Sequence, residues 1–149
     1  MNERLSRWIA ASIIKHFATL FDGILQFYTE DGDNDPEPDK EWIELRIIGP
    51  EYSEGSKGCW EILVEIDLLA NLQIKAENIL RIHEICGLAE ANCSCIPIYK
   101  YGDSGDYFFN LTLDSQVDKN IRKLYYGRPP DTRVKRASVM AFYRTQVKL

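Results

Sequence analysis

The sequence predicts an α+β fold: a mostly antiparallel sheet with two helices packed on one face, formed by residues 1–149 as a single domain. Three observations predict it. Two segments, 3–20 and 76–91, repeat apolar residues at helical spacing, whereas 42–48, 59–69 and 134–147 alternate apolar and polar residues in the manner of half-buried strands. Strands and helices fall in separate runs, in the order α, β, β, β, α, β, β, β. The chain has 149 residues, 45% hydrophobic and 28% charged, values of an ordinary globular domain that exclude a collagen-like chain, a coiled coil and a wholly disordered one.

Taken in order, Leu5, Trp8, Ile9, Ile13, Phe17, Leu20 and Phe21 share one helical face. Asn2 stands where it can cap that helix, Glu3 where it complements the dipole, and Gly23 where the helix ends. Ile24 to Thr29, rich in β-branched and aromatic residues, suits a short strand. Glu30 to Glu41 carries carboxylates at nearly every second position with Pro36 and Pro38 between them, and is expected to be an exposed acidic loop. Trp42 to Ile48 places Ile43, Leu45 and Ile47 on one face and Glu44 and Arg46 on the other. Cys59 to Leu69 does the same with Trp60, Ile62, Val64, Ile66 and Leu68. The intervening residues 49–58 read as a long connection, and loops of that size tend to be functional.

Ile79, Leu80, His83, Cys86 and Leu88 give the second helical stripe. Ile96 to Tyr101 and Tyr107 to Leu113 flank the turn Gly102-Asp103-Ser104-Gly105-Asp106, which predicts a hairpin, with Pro97 pushing its first strand towards an edge. After a poorly patterned stretch holding Arg128-Pro129-Pro130, alternation through Ala137, Val139, Ala141, Tyr143 and Val147 predicts a long last strand.

The net charge of −5 is unevenly distributed. Residues 1–116 hold 9 Lys+Arg against 21 Asp+Glu, while residues 117–149 hold 9 Lys+Arg against 2 Asp+Glu. A basic end on an acidic body suits nucleic acid, or the acidic body of a second copy in a head-to-tail contact that closes into a ring. No apolar run approaches the about 20 residues of a membrane span, and no secretory signal pattern is present, so the expectation is a cytoplasmic chain with Cys59, Cys86, Cys93 and Cys95 as reduced thiols.

Local strings with chemical potential each have a plainer reading. Gly102-Asp103-Ser104-Gly105 copies the setting of a protease nucleophile, but Asp106 replaces the expected glycine and a hairpin turn accounts for it. Asp31, Asp33 and Asp35 begin like a calcium loop, yet Pro36 and Trp42 occupy the positions of its glycine and its bidentate glutamate. His83, Cys86, Cys93 and Cys95 would supply a tetrahedral zinc set, although buried cysteine also behaves as a small core residue. No phosphate-cradling glycine loop, dinucleotide fingerprint or paired-histidine metalloprotease motif occurs. The expectation is therefore a protein without enzymatic activity and without a cofactor.

Trp42-Ile43-Glu44-Leu45-Arg46-Ile47-Ile48-Gly49-Pro50, then Ile96-Pro97-Ile98-Tyr99-Lys100-Tyr101-Gly102, and finally Arg128-Pro129-Pro130-Asp131-Thr132-Arg133 leading into the last strand, resemble small virion proteins of tailed bacteriophages. The element order is similar to that of tail terminator and neck proteins. That resemblance implies a structural subunit assembling as a ring, usually of six, which caps the tail tube and joins it to the head connector, with DNA passing through the opening. Its place would be the virion, after assembly in the host cytoplasm. On this reading Arg133, Lys135, Arg136 and Arg144 meet the acidic residues of the adjacent subunit, and Glu51, Tyr52, Ser53, Glu54 and Lys57 contact the tail-tube or connector protein. The acidic Glu30 to Glu41 loop and the cysteines have no counterpart in the resemblance. A head-completion or adaptor protein of the neck and a small DNA-binding module using the basic C-terminal segment, with Tyr125, Tyr126 and Tyr143 among its arginines to stack on bases, are the alternatives, with a zinc-dependent enzyme as a further class.

Overall fold

The computed structural model describes residues 2–30, 41–127 and 134–148. Its elements are α1 (Leu5–Phe21), β1 (Gln26–Thr29), β2 (Trp42–Glu54), β3 (Cys59–Gln73), α2 (Asn78–Asn92), β4 (Cys95–Tyr99), β5 (Tyr107–Thr112), β6 (Ile121–Gly127) and β7 (Val134–Lys148). The fold is α+β. Five strands form a sheet in the order β1-β2-β3-β7-β6, parallel only at β1–β2, and β4–β5 form a separate antiparallel pair.

The centre of the sheet is the β3–β7 ladder, continuous from Cys59↔Lys148 to Gln73↔Val134. The period of two then sorts its side chains. Ile62, Val64, Ile66, Leu68, Ala70 and Leu72 of β3, with Ala137, Val139, Ala141 and Tyr143 of β7, face the helices and are buried. Leu5, Trp8, Ile9, Ile13, Phe17 and Phe21 of α1 and Ile82, Ile85, Cys86 and Ala89 of α2 join them in one core cluster. Both helices therefore lie on the same face. Small residues on β7, Ala137 and Ala141, leave room for helix side chains to sit close against the sheet.

The β4–β5 hairpin covers α1 from its other side. Ser12 is the link: its hydroxyl donates to the carbonyl of Tyr99 (3.3 Å) and accepts from the Tyr99 N–H (2.9 Å). Trp8 donates its indole N–H to Asp103 in the hairpin turn (2.7 Å) and packs its ring 6.0 Å from Phe108. On the far side the hairpin reaches β7, where the Thr112 N–H donates to the Thr145 hydroxyl (3.0 Å).

Four expectations are corrected. The first is the connection at 49–58, which is largely strand. Gly49 takes φ +98°, where an added Cβ would stand 3.0 Å from the Leu63 carbonyl, and the register steps from Ile48↔Glu65 to Glu51↔Leu63. The glycine and proline thus mark a bulge that absorbs one residue rather than a strand end. Pairing resumes through Glu54↔Trp60, and the Gly55 N–H donates to the Cys59 carbonyl (2.7 Å) to close the hairpin around Lys57 and Gly58.

The second is β6, a strand where no pattern predicted one. It pairs with β7 from Ile121↔Ala141 to Gly127↔Arg136, but its Arg122 to Tyr126 side chains are exposed on both faces, so no alternation is written into it. Third, the buried stripe of α2 is Ile82, Ile85, Cys86 and Ala89, whereas Ile79, Leu80 and His83 point outward. Fourth, the Asn2 carboxamide accepts from the Arg4 N–H (2.8 Å) in a turn before the helix, and α1 begins at Leu5 without a side-chain cap. Among the described residues no helix is long and apolar enough to cross a membrane.

Candidate functional site

The residues expected to carry chemistry are dispersed. His83 is exposed and its Nδ1 accepts from the Lys123 ammonium (2.6 Å). Cys86 and Cys93 are buried, and burial pushes both thiols up to about 11. Cys95 is exposed on β4. Among the described residues no three His, Cys, Asp or Glu side chains gather as a metal-holding group. The hydroxyl of Ser104 accepts the Asp106 N–H (3.3 Å) within the turn, while His16 bonds the Asn92 carbonyl (2.7 Å) far along α1. Neither histidine is hydrogen-bonded to Ser104. Asp31, Asp33 and Asp35 lie outside the described residues.

The basic set expected at a subunit contact is also redistributed. Arg144 is committed within the chain: its Nε donates to both oxygens of Asp114 at 3.1 Å and its Nη1 pairs with Glu61. Lys135 donates to the Lys75 carbonyl (3.4 Å), and Arg136 is half-buried with its Nε enclosed. Arg133 lies outside the described residues. The residues expected at a partner contact are mostly exposed. Glu51, Ser53, Glu54 and Lys57 are exposed along the distal part of the β2–β3 hairpin, while Tyr52 turns inward and its hydroxyl meets that of Ser6 (2.7 Å), pinning the hairpin to the start of α1.

At the opposite edge of the sheet lies a surface that sequence reasoning found only in part, naming Tyr125 and Tyr126 in the basic segment but not the strand that carries them or the exposed face of α2. β6 presents Arg122 and Lys123 together with Leu124, Tyr125 and Tyr126, whose exposures are 45%, 48% and 51%. Beside it α2 exposes Ile79 at 54% and Leu80 at 71%, one turn before His83, whose ring lies 5.4 Å from that of Tyr125. Lys123 and Tyr125, opposite Val139 and Ala137, share the helix-bearing face with α2, whereas Arg122 and Leu124, opposite Met140 and Ser138, lie on the other face; large side chains exposed together on one face mark a contact surface rather than scattered surface residues. The signal was present in the sequence as a second apolar stripe on α2 that the core could not also bury.

The two edges differ in sign. β6 carries two cations and no carboxylate, with Asp118 and Lys119 exposed just before it; the β1–β2 edge carries Glu30, Glu44, Glu51 and Glu54, with Arg46 tied to Glu30 (3.2 Å) and Lys57 at the hairpin tip. The imbalance along the chain has become a polarity across the sheet.

No family model and no curated protein matches this sequence. Several solved structures are similar in fold; one of these chains has a TM-score of 0.52 and 10% identity over 93% of this chain and 94% of that one. Its name describes no function, and at that identity the likeness is one of architecture alone.

Proposed function

We propose that this protein is a structural subunit of a tailed-phage virion, a ring-forming tail terminator that caps the tail tube at the head–tail joint. The observation that carries the reading is the polarity of the sheet: a basic, apolar edge at β6 and an acidic edge at β1–β2. A surface that differs from its complement on the same molecule makes heterologous contacts, and those close into rings when the rotation allows. The short strings similar to phage neck proteins supply the place in the virion. A hairpin reaching beyond β1, tipped by Ser53, Glu54 and Lys57, supplies a projection for the tail tube or connector.

Native mass spectrometry with electron microscopy of the purified chain tests the ring. The expected result is a closed assembly of about six copies with a central opening, loosened by salt. A monomer at every concentration would overturn it. In virions the reading requires that particles made without the protein have unjoined heads and tails; normal particles would exclude the terminator role.

A further inference from the structure

The sheet ends in two open edges whose directions match each other. Among the described residues no strand lies beyond β6, and β1 covers β2 only from Trp42 to Leu45, which leaves Arg46–Glu54 unpaired on that side. β2, β3, β7 and β6 alternate in direction, so β6 runs opposite to β2. Two copies standing side by side in one orientation therefore bring β6 of the first antiparallel to β2 of the second. That is the arrangement a ring requires and a two-fold dimer does not.

We propose that β6 of one copy adds as a strand to the Arg46–Glu54 edge of β2 in a second copy, making one sheet continuous across the subunit joint. This rests on the ring reading and names the surfaces that form it. Open backbone N–H and C=O groups provide the pairing, as in other strand additions. Lys119, Arg122 and Lys123 meet Glu51 and Glu54, and Tyr125 with Ile79 and Leu80 of α2 lies over the neighbour's hairpin. Pairing of β6 with another β6 would set Arg122 and Lys123 against their own copies, which like-charge repulsion disfavours.

The test mixes isotopically labelled and unlabelled chain, allows assembly, and joins ammonium to carboxylate with a carbodiimide. Mixed-label peptides linking Lys119 or Lys123 to Glu51 or Glu54 are expected. Two charge-reversed variants sharpen it: Arg122→Glu with Lys123→Glu, and Glu51→Lys with Glu54→Lys. Each alone should lose the assembly while keeping its thermal midpoint, and mixing the two should restore a ring in which they alternate. An assembly whose links lie elsewhere, or that survives both reversals, overturns the strand addition and leaves the ring standing. Links from β6 to β6 overturn it in favour of a two-fold contact. Loss of retention on DNA with the assembly unchanged assigns the cationic edge to nucleic acid instead. A wild-type chain that is monomeric throughout overturns the ring reading itself.

Discussion

Where α1 crosses the sheet, both of its sides are taken: β1 and β2 lie beneath it, and the β4–β5 hairpin closes over it through Ser12, Trp8 and Tyr99. α2, packed on β3 and β7, has no second layer among the described residues, and its outer turn leaves Ile79 and Leu80 in water beside the bare edge of β6. Both helices are amphipathic and both feed one core, yet only the first is covered on a second side by the hairpin. The contrast teaches that the two ends of the sheet are finished differently: the α1 end is covered by a second layer, and the α2 end leaves large apolar side chains exposed.

The sharpest way to break this contrast is to empty the enclosed end. Phe17 is fully buried in the α1 face, and Phe17→Ala should cost about 3–5 kcal/mol, a large share of the roughly 5–15 kcal/mol that stabilises a domain. Urea titration reads it; a loss below about 1 kcal/mol would mean that this end is not the anchor. Next comes Arg144, held between Asp114, 4% exposed, and Glu61. Arg144→Ala leaves the Asp114 carboxylate enclosed without its cation and should cost about 2 kcal/mol, a fall of ~4–8 °C in thermal midpoint. An unchanged midpoint would return Arg144 to the set available to a neighbour.

The smallest effect concerns the inner side of α2, which is sealed although its outer side is open. Cys86 and Cys93 should resist alkylation at pH 8 while Cys59 and Cys95 react; equal rates for all four would show that the seal is absent. Burial raises both inner thiols to about 11 against an ordinary value of 9.0. The unfolded chain therefore releases those protons first, so stability holds below about pH 9 and falls as pH rises through 9 to 11. Cys86→Ala should flatten part of that alkaline slope, measured as thermal midpoint against pH.

Most of the architecture was legible from period alone. The alternation in β3 and β7 identified the inward residues correctly because a strand with one buried face carries its burial in its own sequence. The Gly102–Asp106 hairpin was legible because turn chemistry is local. β6 was not, because a strand exposed on both faces has no alternation to write. The bulge at Gly49–Pro50 was read as a loop because glycine and proline give the same signal whether a strand ends or only shifts register. The candidate surface was half legible: the exposure of Glu51, Ser53, Glu54 and Lys57 follows from a polar hairpin, whereas the pairing of Arg144 with Asp114 and Glu61 joins residues far apart in the chain.

The sequence by itself determined the α+β class, the core faces of α1, β3 and β7, and the separation of acidic from basic residues along the chain. Each of these is a property of neighbours in sequence, set by side-chain period and composition. Only the tertiary structure decided which side of α2 is buried, which arginine is consumed by Asp114 and Glu61, and that the two signs of charge fall on opposite edges of one sheet. Those depend on strand order, and strand order follows from contacts between residues far apart in the chain: β7 lies against β3 and carries β6 to the sheet's outer edge.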